Sequence, residues 1–188
     1  MILTKKEFLE KINEKGFIEK LSKSIFIYPT DTIYGIGCNA LNEKAVQRIR
    51  DIKLRESKPF SVIAPSKQWI HDNCIINSQI KEQLKKLPGS YTLIMKLKNK
   101  KVVAHSVNMN LDTLGIRIPD HWLRDVVAKL KFPVVTTSVN LSNQQHMISL
   151  KNLNLDIKQK VDFIVYEGQK NGKPSTVINC TTLEIIRK

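Results

Sequence analysis

Aromatic side chains make up only 6% of this 188-residue chain, and there are only three cysteines, Cys38, Cys74 and Cys180. Few aromatics leave little with which to stack unpaired bases, which argues against a dedicated RNA-binding module. An odd, widely spaced set of cysteines suits neither a disulfide framework nor paired zinc ligands. Reduced, buried or half-buried thiols in a reducing cytosol are expected instead. No stretch approaches the roughly 20 apolar residues of a membrane span. The N-terminal segment MILTKKEFLEKINEKG mixes acids and bases without the apolar centre of a signal peptide, so the expected location is cytoplasmic. His71, His105, His121 and His146 lack any HExxH-like spacing, and no protein-held metal is expected. A GxxxxGK[ST] loop, a GxGxxG fingerprint and a GxSxG elbow are all missing, which excludes the P-loop and Rossmann types of nucleotide site.

Acidic residues are also scarce. Seventeen Asp and Glu stand against thirty-one Lys and Arg, giving a formal net charge of +14. Such a field attracts polyanions, among them ATP, pyrophosphate and RNA. The hydrophobic fraction of 41% is enough for a core, and the length fits one domain spanning residues 1–188.

Short-range signals divide the chain into elements. Thr4 followed by Glu7 is a capping box, and Phe8, Leu9 and Ile12 supply an apolar helical stripe that should run to Gly16. Residues 24–28 read as a strand stopped by Pro29. Asn42 should cap a helix reaching Lys53, with Ala45, Val46, Ile49 and Ile52 on one face. Further strands are expected at 60–64, 91–97, 114–118, 133–137 and 162–166, with a polar helical region before the Pro88-Gly89 turn. Asp120 should cap a helix carrying Leu123, Val126, Val127 and Leu130, and residues 175–179 and 183–187 should close as a hairpin. Strands and helices interleave without the strict alternation of a doubly wound sheet. The expected fold class is therefore α/β with a mixed, twisted sheet.

Five segments could carry chemistry. Residues 28–37 (YPTDTIYGIG) place hydroxyls around a carboxylate where glycines let the backbone turn closely. Residues 53–59 (KLRESKP) gather cations; Lys53 and Arg55 alternate, so in an extended segment they would point to one side. Alternatively, they form a solvated helix end favoured by the dipole. Arg117 interrupts an apolar strand and needs an anionic partner, either a ligand or a protein carboxylate. Residues 136–142 (TTSVNLS) put hydroxyls and an amide at a strand end, where α/β sheets tend to place ligands. Ser175 and Arg187 lie on the strands of the closing hairpin.

Taken in order, YPTDTIYGIG (28–37), KLRESKP (53–59), PGSYT (88–92), LGIRIP (114–119), TSVNLSN (137–143), STVIN (175–179) and IIR (185–187) resemble the YrdC family of threonylcarbamoyl-AMP synthases. That family shows YPT(D/E)TxYGLG, KxR before Lys-Pro, PGPxT, RxP, TSANxSG, and STxVD closing on ILR. The resemblance spans nearly the whole chain. It implies an open, largely antiparallel twisted sheet flanked by helices around a deep basic cavity. The implied activity is that of a cytoplasmic nucleotidyltransferase in tRNA processing. It would make threonylcarbamoyl-AMP and pyrophosphate from L-threonine, bicarbonate and ATP, with Mg²⁺ accompanying ATP. By the same resemblance Lys53 and Arg55 are catalytic, and Thr32, Arg117 and Ser175 contact threonine. Arg55, Thr113, Ser138, Asn140, Ser149 and Arg187 contact ATP. A threonylcarbamoyl-transferase complex would take the product, RNA is a further candidate partner, and no membrane is involved. The alternative is a non-catalytic RNA-binding module of the same fold. Val139, Asn143, Ser90 and Asn179 depart from the family's Ala, Gly, Pro and Asp, and an apolar residue near Ile63 replaces a histidine some members carry.

Overall fold

The computed structural model describes residues 1–142 and 144–188. Its strands are β1 (Ile2–Thr4), β2 (Phe26–Tyr28), β3 (Gly35–Gly37), β4 (Ser61–Ile63), β5 (Tyr91–Lys96), β6 (Thr113–Arg117), β7 (Val134–Ser138), β8 (Phe163–Tyr166), β9 (Thr176–Asn179) and β10 (Glu184–Arg187). The helices are α1 (Lys5–Lys11), α2 (Phe17–Ser22), α3 (Glu43–Lys53), α4 (Lys67–Asn73), α5 (Ser78–Leu84), α6 (His105–Asn108), α7 (Leu123–Leu130) and α8 (Leu155–Lys160). The strands form one ten-stranded sheet in the order β1-β8-β2-β3-β7-β4-β6-β5-β9-β10. Among these pairings five are antiparallel and four parallel, so the sheet is mixed almost evenly rather than largely antiparallel.

Strand alternation divides the core into two layers. Ile27, Ile36, Val62, Ile116, Val135 and Ile164 point to one face, where α3 brings Ala45, Val46, Ile49 and Ile52. Phe26, Tyr28, Ile63, Val134, Phe163 and Val165 point to the other, under Phe8, Phe17 and Leu21 of α1 and α2 and Leu123, Val127 and Leu130 of α7. On this second face the strands further along the sheet change character: Ser61, Thr92, Gly115, Arg117 and Thr136 replace the apolar positions. There the layer gives way to a cavity.

Asn42 caps α3 as expected, its side chain accepting from Ala45 N–H. The Thr4–Glu7 capping box is present, but α1 stops at Lys11, and Gly16 instead precedes α2 with φ 83°. Only glycine adopts that left-handed backbone without strain. β1 escapes the local signals because its pairing is with β8, some 160 residues away, in parallel. Asp120 does not cap α7; Trp122 occupies the cap position. The Asp120 N–H is drawn to Asp31 Oδ2 at 3.2 Å and its carboxylate pairs with Arg124. All three cysteines are buried and unbonded to one another, and burial pushes their thiols up, Cys180 to about 11.

The close pairing of β3 with its neighbours depends on Gly37. A Cβ there would lie 1.8 Å from the Val135 carbonyl oxygen, an atom already accepting from Tyr28 Oη at 2.8 Å. The paired Val135 backbone on one side and the buried Tyr28 hydroxyl, 3.0 Å away, leave little room to yield. Gly37→Ala is expected to cost about 4 kcal/mol or more in urea melts. A loss under about 1 kcal/mol would show that β3 can shift.

Candidate active site

The cavity has a volume of about 300 Å³. Its wall collects residues from segments far apart in sequence: Thr30 and Tyr34, Arg55 and Phe60, Arg117, Thr136 to Ser138 with Asn140, and Ser175 with Arg187. Three arginines therefore face one space, and no carboxylate lies among the described lining residues. Burial pulls the pKa of each guanidinium down. All three remain cations at neutral pH and would gain from an incoming anion.

Arg117 stands on β6 and is almost wholly buried. Its Nη2 pairs with Asp31 Oδ1 at 2.5 Å and its Nη1 donates to Thr32 Oγ1 at 3.3 Å, while its Nε is buried without a partner among the described residues. The partner open to either reading is thus, in part, a protein carboxylate. Asp31 also accepts from Ser90 Oγ and Asp120 N–H, so one carboxylate ties together the loops at 30–32, 88–90 and 117–120. The first of these loops is held internally as well: Thr30 Oγ1 donates to Ile33 O at 2.7 Å and accepts from Thr32 N–H at 3.1 Å.

Across the cavity, Arg187 of β10 donates to Ser175 O from Nε (3.1 Å) and Nη2 (2.8 Å), and Ser175 Oγ lies 2.8 Å from Thr92 Oγ1. The chain between β8 and β9 straps over the rim. Tyr34 Oη donates to Gly168 O at 2.6 Å, and a Cβ at Gly172 would meet Thr32 O at 2.2 Å. Glu167 anchors the strap through His121, Trp122 and Lys170.

Lys53 corrects the spacing argument. It ends α3, and Leu54 follows with left-handed φ 49° and ψ 50°, so Lys53 and Arg55 do not share an extended face. Lys53 is 1% exposed and outside the cavity wall. Its Nζ donates to Ser138 O (2.5 Å), Asn140 O (2.7 Å) and Asn140 Oδ1 (3.1 Å), pinning the turn that presents Ser138 and Asn140. Ser142 returns the contact, donating through Oγ to Lys53 O at 2.9 Å. Burial, with the Arg55 charge, pushes the Lys53 pKa down to about 7. The unfolded chain keeps that proton to about pH 10.4. Between about pH 7 and 10 the unfolded state therefore binds more protons, and stability should rise with pH. In denaturant melts at several pH values, Lys53→Met should lose that slope; an unaltered slope would assign it to another group.

Other expected positions lie apart. Thr32 backs the cavity through Arg117 without lining it. Thr113 opens β6 opposite Lys96, outside the lining, and the Ser149 hydroxyl caps the short turn at 150–152. Val139 turns into the core beside Met147, so its extra bulk over alanine is absorbed away from the cavity. Ile63 is buried under the helices of the second face, and Asn179 accepts from Thr181 in the hairpin turn. Asn143 lies outside the described residues. Tyr34, within the 28–37 segment, lines the cavity, as do Phe60 and His146, which no sequence motif assigns to a site. Phe60 directly follows the KLRESKP segment, which is the one local signal that could have marked it.

A protein-family model described as Sua5/YciO/YrdC, telomere recombination, matches residues 21–188. The chain belongs to the Sua5/YciO/YrdC family. Within that family it is 37% identical over 186 residues to a Methanocaldococcus jannaschii protein provisionally named threonylcarbamoyl-AMP synthase, covering 96% of this chain and 82% of that one. It is 30% identical over 182 residues to the threonylcarbamoyl-AMP synthase of Buchnera aphidicola, covering 90% and 92%. The crystal structure of P. abyssi Sua5 complexed with L-threonine superposes with a TM-score of 0.80 at 26% identity, covering 96% of this chain. The chain spans 54% of that longer Sua5 protein.

Proposed function

We propose that this protein is an L-threonylcarbamoyladenylate synthase, a nucleotidyltransferase supplying activated threonylcarbamate for tRNA modification. The observation that carries the reading is the meeting of Arg55, Arg117 and Arg187, from three distant family motifs, in one hydroxyl-lined cavity. The names of its relatives and the threonine complex of a structural neighbour support it.

The reaction suits such a wall. The threonine amine and bicarbonate condense to a carbamate with loss of water. A carbamate oxygen then attacks the α-phosphorus of ATP, forming an O–P bond as the bond to the β-phosphate oxygen breaks and pyrophosphate departs. Negative charge gathers on attacker and leaving group together, and fixed guanidiniums lower that barrier by charge neutralisation and alignment. Arg117 and Ser175, backed by Thr32, would take threonine. Arg55, Ser138, Asn140 and Arg187 would take the nucleotide. Lys53 would act by holding the 138–140 turn, since its amine is spent on three oxygens. Mg²⁺ would be carried on the triphosphate, because the described cavity wall offers hydroxyls and guanidiniums but no carboxylate to hold it. The sheet draws on both Ile2 and Arg187, which supports one domain over 1–188. Such a synthase would work in the cytoplasm and hand its product to a threonylcarbamoyl-transferase complex.

The test is to incubate the protein with ATP, Mg²⁺, bicarbonate and each amino acid in turn, following pyrophosphate. Release with threonine above all others is expected. Release indifferent to the amino acid, or none, would overturn the reading and leave the RNA-binding alternative.

A further inference from the structure

A second arginine stands behind Arg55. Arg50 lies on α3 one turn before the helix ends and is 4% exposed. Among the described residues its hydrogen bonds all run to backbone carbonyls. Nε donates to Ser106 O at 2.7 Å, and Nη1 donates to Arg55 O (3.0 Å), Glu56 O (3.3 Å) and Lys58 O (3.3 Å). Its Nη2 is buried with no partner among the described residues. Arg55 bonds the same short loop from outside, Nε to Lys58 O at 3.1 Å and Nη2 to Pro59 O at 2.7 Å. The Lys58 carbonyl thus accepts from both arginines. Both guanidiniums also lie against one ring, with Cζ of Arg50 4.7 Å and Cζ of Arg55 5.1 Å from the Phe60 centroid.

Two like charges so close repel. The carbonyl dipoles of the loop and the negative faces of the Phe60 ring offset that repulsion. A single planar donor set that reaches three carbonyls curls residues 55–58 into one conformation. All three loop bonds come from Nη1 while Nε holds Ser106 O; a lysine, a point donor on a flexible stem, could not hold the loop and Ser106 O together. Glu56, Ser57 and Lys58 are themselves exposed, so this loop has little buried apolar surface to fix its shape.

We infer that Arg50 is a positioning residue for the nucleotide end of the cavity, curling the 55–58 loop so that the Arg55 guanidinium stays against Phe60 and faces the bound triphosphate. The inference rests on the reading of Arg55 as a nucleotide contact. It assigns a role to a buried cation that touches no substrate.

Two variants and two readouts test it. Arg50→Met keeps the apolar stem and removes every N–H; Arg50→Lys keeps the charge and loses the fork. In steady-state pyrophosphate release, Arg50→Met should raise the KM for ATP by about ten-fold and leave the KM for threonine within about two-fold, with Arg50→Lys between. A purely structural loss would lower kcat through fewer folded molecules and leave both KM values alone. An unchanged KM for ATP in both variants overturns the inference. The second readout is amide exchange at Arg55 and Phe60 in nucleotide-free protein, since their N–H groups donate to Arg50 O (3.0 Å) and Val107 O (2.7 Å). Exchange should quicken by about ten-fold in Arg50→Lys; unchanged protection overturns the loop-holding role. If Arg50→Met does not fold, Arg50→Lys carries both measurements. Because exchange needs no turnover, a wild-type protein silent toward threonine would sink the functional reading while the exchange result still judges Arg50.

Discussion

Arg55→Ala is expected to lower threonine-dependent pyrophosphate release by about 10³-fold, the loss typical when a fixed cation facing a transferred phosphoryl group is removed. The side chain is half-buried on the cavity wall and, among the described residues, bonds only the carbonyls of its own loop, at Lys58 and Pro59. Removing it should leave the sheet and both core layers intact, so the melting midpoint should stay near that of the wild type. The informative comparison is Arg55→Lys. A lysine keeps the charge but cannot grip a phosphate through two parallel bonds, and it should recover only part of the rate. Near-normal turnover in Arg55→Ala would remove the nucleotide from this end of the cavity.

Arg117→Met should strongly destabilise the fold as well as empty the site. The Arg117 and Asp31 side chains are 7% and 10% exposed and pair at 2.5 Å. Methionine matches the length of the stem but leaves the Asp31 carboxylate buried opposite no cation, a loss that costs about 3–5 kcal/mol in comparable buried pairs. Asp31 also joins the loops at 88–90 and 117–120, so the cost should spread to both rims of the cavity. Adding Asp31→Asn to Arg117→Met removes the stranded charge and should recover part of the stability, which makes the double-mutant cycle strongly non-additive. Additive losses would mean that the two side chains do not depend on each other. On the proposed reading of Arg117 as a threonine contact, neither protein should bind threonine measurably, because Arg117 and its bond to Thr32 would both be lost.

How far these residues could be foreseen differs from one to the next. The helix from Asn42 to Lys53 was legible because its cap, its apolar stripe and its end are all properties of neighbours within a few turns. The Thr4–Glu7 box was legible for the same reason, although the helix it starts is shorter than the stripe suggested. Arg117 could be recognised as needing an anion, since a cation inside an apolar strand is costly when unpaired. Which anion is a question about residue 31, eighty-six positions away. Lys53 shows the limit most clearly. Alternate spacing with Arg55 implied two cations side by side, and the left-handed turn at Leu54 sends them to different tasks. Phe60 and Arg50 carried no signal of their own, because a phenylalanine before a strand and an arginine on an amphipathic helix are both ordinary.

The sequence by itself determined the α/β class, most of the elements, the strongly cationic character and the ordered set of motifs that places the chain in its family. Those are consequences of spacing, capping and composition, which act over a few residues or over the chain as a whole. Only the tertiary structure decided which cations line the cavity, which one is spent on backbone oxygens, and which carboxylate holds Arg117. The reason is physical: the fate of a buried charge is set by the dipoles and counter-charges that folding brings to it from elsewhere in the chain, and those distances are not written in the local pattern.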